Sequence, residues 1–598
     1  LGELANAGAV RRILAFVYDS IGDPVRAWKL RMAALRGVGR RSNLPLIKAV
    51  ASIAEDAMHR GNWHGAASFL ALEIGIARRL QNDVQLADAL LIRAAVRNEL
   101  HDRSGANGDI AEAEAAGGRS KDAAYRDYIH FREQVVRAML TPSAAEANRL
   151  LSEAIAFQST KGDRLYLPAL FLQRARALRS SGDRTGAAAD LQQGMTELET
   201  HRQSLPPGES RWGAFHGAEE LFEDAIDLAI QQNDAVLAFT IAERARARSL
   251  IDSYGRSPSI DYRRLPPDTT VVEYAALPTR LVIFTVNAAG VRAVSTSCDR
   301  KGLAAEIETW SRALRADNLP AQSAASRRTA LTLYRQLLDP LERELVRAKT
   351  LAIIPDATTS TVPFSALIDS RGQYLIEHHT VVIAPSAAVF AAASDQARQL
   401  AAPRSLLVIA NSEPDAELGA LAFVNGEAQD VARAYAHSVR IPEDSAQFHE
   451  LAKRGGDADV IHFAGHAIGD PGDLEPASIV LREQDHERRV RVPELASLRL
   501  RHTSVVVLAG CNTARGERRS SEGVISVAHG FLTAGAPSVI ATLWPIDDRA
   551  AATLFPRLHQ RLAAGLKPAE ALREVQLEAI HRGDVPASLW AALQDIGS

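Results

Sequence analysis

The hydrophobic period of this chain changes once, and that change rules out a fold of a single class. Up to about Arg256 apolar residues recur at helical spacing. Leu167, Leu170, Phe171, Ala175 and Leu178 form one stripe, the turn SSGD follows at Ser180–Asp183, and Ala187, Leu191 and Leu198 begin the next. Residues three and four apart share one face of a helix, so this is an amphipathic helical hairpin. Similar units start at Ile21, Arg60 and Gln231, while the Gly-rich stretch RSGANGD, Arg103–Asp109, reads as an interruption. Helix, short Gly/Asn/Asp turn and Ala-rich helix, repeated, is the pattern of a tetratricopeptide-like solenoid, in which neighbouring units bury one another. Its concave face suits a protein partner, a substrate or a regulator. The bland alternative is that these helices only brace the second half.

The boundary is YGRSPSIDYRRLPPDTT, Tyr254–Thr270, rich in Pro, Ser and Gly. Beyond it TVVEYAAL, RLVIFTVN and VRAVSTS read as three strands, and a helical segment follows from about Lys301 to Ala348. Six apolar runs then alternate with helices, starting at Thr350, Thr380, Ser405, Asp459, Ser504 and Ser538. Continuous apolar runs are what strands covered on both faces require, so a mainly parallel sheet is expected. The expected organisation is multidomain: an all-α repeat array over 1–256, a linker over 257–270 and an α/β domain over 271–598. Within the last, 271–348 holds the early strands and 349–598 the core.

Composition narrows the function classes. Basic and acidic residues number 69 and 72 and 46% of the chain is apolar, as in globular proteins that need neither nucleic acid nor an anionic membrane. Direct nucleic-acid binding is therefore not expected, and ERARARS, Glu243–Ser249, reads as a solvated helix face. No run approaches the roughly 20 apolar residues that cross a bilayer. The first residue is Leu1 rather than Met, which leaves room for a removed leader. The only cysteines, Cys298 and Cys511, lie far apart, so a disulfide framework is implausible and a reducing, cytoplasmic setting is expected. The abundant Ala and Arg suit a bacterial source.

Two of the apolar runs end in a reactive side chain. DVIHFAGHAIGD, Asp459–Asp470, carries His466, and SVVVLAGCNTARG, Ser504–Gly516, carries Cys511. In open parallel sheets functional groups gather beyond the carboxyl ends of the strands. A thiol becomes a strong nucleophile when a neighbouring imidazole takes its proton. Alone, Cys511 would more often be a small apolar filler; the matched placement of the two favours chemistry. His462, inside its strand, and His529, on a helix, read as packing residues, and Cys298 as inert. Adjacent His378 and His379 cannot share a strand face, and no cysteine or histidine pair has zinc spacing, so neither metal nor cofactor is expected.

The second half also resembles the CHAT family, caspase-like domains usually found behind tetratricopeptide repeats and related to separase and the caspases. The resemblance rests on AERARARSLID at the repeat boundary, LAIIPDATTSTVPFSALID from Leu351, HFAGHA from His462 and VVVLAGCNTARG from Val505. SEGVISVAHGFLTAGAPSVIATLWPIDD from Ser521 and SLWAALQDIG from Ser588 complete it. It implies a cysteine peptidase with Cys511 as nucleophile and His466 as general base. Main-chain N–H groups of Cys511 and Ala467 would form the oxyanion hole. Ala467 stands where the family often has Gly, which would strain a loop needing positive φ. The resemblance further implies an acidic pocket for a basic residue before the scissile bond, with Asp548 the candidate, Asp547 the better helix cap and Glu522 a weaker choice. Family precedent links such proteins to signalling, programmed death or antiphage defence. The rival is a scaffold that binds partners without cutting.

Overall fold

The computed structural model describes residues 2–20, 24–38, 43–161, 164–206, 211, 218–255, 260–316, 322–412, 418–468, 477–483, 486–519 and 523–598. Its contacts divide the chain into two compact units, Leu1–Leu228 and Ala229–Ser598.

The first unit is helical. Its hairpins include Leu44–His59 with Trp63–Arg79, Asp83–Glu99 with Arg103–Gly118, and Leu167–Ser180 with Arg184–Ser204. One local device starts many of these helices. A left-handed residue (Gly61, Gln81, His101, Gly182) reverses the chain. The next residue (Asn62, Asn82, Asp102, Asp183) then caps the new helix by accepting the N–H of the third residue beyond it. The stretch RSGANGD is therefore no interruption: Arg103–Gly118 is a helix capped by Asp102. Its Gly105 lets the Asp102 carboxylate lie close, since a Cβ would come 2.1 Å from a carboxylate oxygen, although Gln85 takes the equivalent place beside Asn82. Asp109, from the same stretch, receives a bidentate bond from Arg93 at 2.9 and 2.7 Å, and Arg174 repeats that pairing on Asp190 at 2.7 Å for both bonds. Pairs sixteen positions apart in two hairpins (109 − 93 and 190 − 174) mark one repeating architecture.

The second unit is built on strands β1 (Thr269–Leu277), β2 (Arg280–Asn287), β3 (Gly290–Ser297), β4 (Thr350–Ile354), β5 (Thr380–Ile383), β6 (Ser405–Ala410), β7 (His437–Ile441), β8 (Val460–Ala464), β9 (Ala467–Ile468), β10 (Ser478–Glu483), β11 (His486–Arg491), β12 (Val505–Ala509), β13 (Gly516–Arg519), β14 (Gly523–Ser526), β15 (Ser538–Thr542) and β16 (Leu593–Gly597). Eleven of them form one sheet, ordered β3-β2-β1-β4-β5-β16-β15-β12-β8-β6-β7. Pairing is parallel except at β2–β3, β1–β2 and β15–β16. Apart from β2, the sheet is thus two blocks of opposite direction that meet where β16 lies beside β15. β9–β10–β11 and β13–β14 form small antiparallel sheets apart from it.

The unit boundary falls ahead of the change in composition at 256. The helices Ala235–Arg244 and Arg248–Ser253 belong with the sheet. The buried Glu243 carboxylate accepts the N–H groups of Ala387 and Ala388, at 2.8 and 2.9 Å, where the helix Ala387–Ala397 begins. Arg246 pairs with buried Glu273 and donates to the Pro355 carbonyl. Glu243, Ala247 and Arg248 are buried and Arg246 is paired, so the segment ERARARS is an anchor and not a solvated face. Alternating charge and alanine cannot reveal this, since the same pattern suits either environment.

Candidate active site

β8 and β12 are neighbours and run parallel in register, with Val460 opposite Val505 and Ala464 opposite Ala509. Their backbones stay together one step further, where the Gly465 N–H meets the Ala509 carbonyl at 3.3 Å. A Cβ on Gly510 would lie 2.9 Å from the Gly465 oxygen, so glycine is needed for this approach. The next residues on the two strands are His466 and Cys511. The sequence thus delivers both to equivalent positions on adjacent strand ends.

The Cys511 loop is fastened from below. The Thr542 hydroxyl donates to the Gly510 carbonyl at 2.6 Å, the Thr542 N–H donates to the Thr513 hydroxyl at 2.9 Å, and the Ala514 N–H to the Thr542 carbonyl at 2.9 Å. Asn512 turns the chain in the left-handed region, φ 55°, a conformation asparagine tolerates better than most residues. Burial pushes the half-buried Cys511 thiol above its ordinary range, the Ile546 main-chain N–H pulls it back, and the Asp548 carboxylate pushes it up again. Cys511 is a free thiol whose hydrogen-bonding partner is Ile546, and no hydrogen bond joins it to His466 among the described residues.

The His466 imidazole donates from Nε2 to the Gly419 carbonyl, 2.7 Å away. A carbonyl can only accept, so the proton sits on Nε2 and the lone pair on Nδ1. Below, the His466 carbonyl accepts the Val480 N–H at 2.9 Å. Ala467 lies in β9, paired with Ile479 of β10, and is not among the residues of positive φ. Alanine is therefore unstrained here, contrary to the concern its place in the motif raised.

Asp547 is the N-cap of the helix Asp548–Ala563, its Oδ1 accepting the Ala550 N–H at 2.8 Å. Asp548 reaches elsewhere: its Oδ2 accepts the Phe423 N–H at 2.8 Å, while Arg549 stacks over the Phe423 ring at 5.0 Å. Glu522 lies outside the described residues. His462 is fully buried, as its place in β8 suggests, and belongs to a buried hydrogen-bonded chain. The Tyr435 hydroxyl meets His559 Nδ1, His559 Nε2 meets His462 Nδ1, and His462 Nε2 meets Glu427, each at 3.0 Å. His529 is buried in the helix Val527–Thr533. Cys298 follows β3, at the far edge of the sheet, its thiol pushed up by burial, then by Asp299 and Asp356. His379 bonds the Ala348 carbonyl, and no group of three or more metal-ligating side chains converges among the described residues. No helix among them is long and apolar enough to cross a membrane.

Sequence reasoning missed Gly419 and Ile546, because a main-chain carbonyl or N–H leaves no residue signature. It also missed the Thr513–Thr542 clasp, although Thr542 ends the otherwise apolar strand β15.

Residues 327–598 match the family model described as CHAT domain. Among solved structures, the chain resembles the Saccharomyces cerevisiae separase–securin complex at 11% identity, with 99% of this chain and 52% of that one covered and a TM-score of 0.47. It spans about half the length of that separase chain. BtubC from P. vanneervenii aligns at 18% identity over 34% of this chain and 84% of its own, with a TM-score of 0.26. A tetratricopeptide repeat protein from Parabacteroides merdae aligns at 15% identity over 40% and 91%, with a TM-score of 0.21. No curated protein matches the sequence. The chain carries a CHAT domain, at residues 327–598, behind an N-terminal array of helical repeats.

Proposed function

We propose that the C-terminal unit is a cysteine endopeptidase acting through His466 and Cys511. The carrying observation is the register of β8 and β12, which puts an imidazole and a thiol at matching positions on neighbouring strand ends. His466 Nδ1 takes the Cys511 proton, and the Gly419 carbonyl favours the resulting imidazolium by accepting its Nε2–H. The thiolate attacks the scissile carbonyl and the tetrahedral oxyanion forms against the main-chain N–H groups of Cys511 and Ala467. The imidazolium then protonates the departing amine, and water releases the acyl group. A basic residue before the cut is selected by Asp548, with Asp547 occupied in capping. The helical repeats recruit the protein substrate or a regulator.

The rival reading, a silent scaffold, draws on the resting thiol, which burial holds in its neutral form and whose partner is Ile546. An electrophilic peptide ending in arginine separates the two. The peptidase labels Cys511 far faster than Cys298, and His466→Ala abolishes the difference; equal labelling of both cysteines would favour the scaffold. A peptide library cut preferentially after acidic or apolar residues would overturn the assignment of Asp548 to selection.

A further inference from the structure

Asp548 sits at the start of a helix that follows β15, yet its side chain is spent on a different loop. Oδ2 accepts the N–H of Phe423, the residue preceding the helix Val424–Ala432. That helix packs against Asp548–Ala563. The turn held in this way contains Gly419, whose carbonyl accepts the His466 Nε2–H. In sheet order the loops involved follow β15, β12, β8 and β6, so the Asp548–Phe423 bond joins the two outer loops across the two that carry Cys511 and His466.

Two features make this a directed contact. Asp547, one residue earlier, already caps the helix, so Asp548 is not needed for that purpose. The adjacent Arg549 stacks on the Phe423 ring, so two consecutive residues of the β15 loop grip the same residue of the β6 loop. The geometry has a chemical consequence. If the turn drifts, the Gly419 oxygen leaves Nε2, the imidazole can rotate, and either nitrogen can carry the proton. A base whose lone pair is not fixed toward the thiol loses most of its value, because proton transfer requires hydrogen-bonding range and alignment.

We propose that Asp548 is a positioning residue for the dyad: through the Phe423 N–H it holds the 418–423 turn where the Gly419 carbonyl receives the His466 Nε2–H. This rests on the reading of His466 as the base and adds to Asp548 a role independent of any basic substrate side chain. The hydrogen bond needs an acceptor, not a charge. Asparagine can supply one, and alanine cannot.

The test uses the full chain with Cys298→Ser, so that Cys511 is the sole thiol, and follows its alkylation by iodoacetamide, an uncharged reagent without a basic group, from pH 6 to 10. Asp548→Asn and Asp548→Ala remove the same charge and differ in the acceptor alone. The expected result is labelling at least about tenfold slower in the Ala variant than in the Asn variant at neutral pH, with the Ala pH profile moved toward that of His466→Ala. Hydrogen exchange of peptides spanning 418–423 rises in the Ala variant and not in the Asn variant, while β12 peptides stay protected. Equal labelling of Asn and Ala variants overturns the proposal, as does an Asn variant as slow as His466→Ala; the latter reads out even where the Ala variant does not fold. If His466→Ala itself leaves rate and profile unchanged, the dyad reading fails, an outcome separate from failure at Asp548.

Discussion

Asp595 offers a sharp test of the energetics of the central sheet. It lies in β16, opposite Ile540 of β15, and is fully buried. Oδ1 accepts the Ser538 hydroxyl, and Oδ2 is buried with no hydrogen-bond partner. Desolvation raises the carboxyl from 3.8 to about 7, with the serine bond opposing. The folded state therefore keeps a proton that the unfolded chain has already released, and stability present below the unfolded value is lost as pH rises toward 7. The loss runs at about 1.4 kcal/mol per pH unit, so between pH 4 and 7 it reaches about 4 kcal/mol as an upper bound. Asp595→Asn fits the same space and abolishes the titration. Measured by urea unfolding at each pH, with exchange of the 538–542 and 593–597 amides assigning the transition, the variant should gain on the native chain steadily from pH 4.5 to 7. The gain should level off above pH 7. A difference independent of pH across that window would refute the argument that Asp595 is held protonated by burial.

Other expectations follow from the contacts around the site. Thr542→Val is isosteric but removes the hydroxyl that donates to the buried Gly510 carbonyl, while the Thr542 N–H keeps its bond to the Thr513 hydroxyl, so it should cost about 1–3 kcal/mol; hydrogen exchange of residues 510–514 should rise accordingly. His559 is held well below its ordinary range by burial and then by His462, so stability is lost as pH falls through the unfolded value of about 6.5. Urea midpoints of His559→Gln should therefore approach those of the native chain between pH 7 and 5. Asp547→Ala removes the bond to the Ala550 N–H, a loss of about 1 kcal/mol that thermal unfolding should register with no change in Cys511 labelling.

What the sequence discloses follows from which interactions use side chains. β4, β6, β8, β12 and β15 are legible because strands covered on both faces read as unbroken apolar runs. β7 is not, since it is a sheet edge exposed at four of its five residues, His437–Arg440. β16, LQDIG, contains a buried aspartate and is illegible for the opposite reason, and with it goes the reversal of direction at the middle of the sheet. In the repeats, glycine at Gly105 suggests a break only until its place after Asp102 is weighed, where its N–H is held by a helix cap. His466 and Cys511 are legible as residues, but the groups they touch, the Gly419 carbonyl and the Ile546 N–H, belong to the main chain.

The reversal at β15–β16 decides which loops can serve the site. β6, β8, β12 and β15 share one direction, so the segments leaving their carboxyl ends emerge at one edge of the sheet; those leaving β3, β4 and β5 emerge at the other. Cys298, leaving β3, is excluded from the His466 edge by topology alone. Within the block the order β15-β12-β8-β6 gives Cys511 a neighbour on each side, and His466 likewise. The thiol takes its main-chain partner from the β15 side, Ile546, and the imidazole takes its own from the β6 side, Gly419. The two main-chain partners thus come from different loops, one on each side of the pair. Asp548 on Phe423 links those two loops directly, so the turn that carries the Gly419 carbonyl and the loop beside Cys511 are joined by one hydrogen bond.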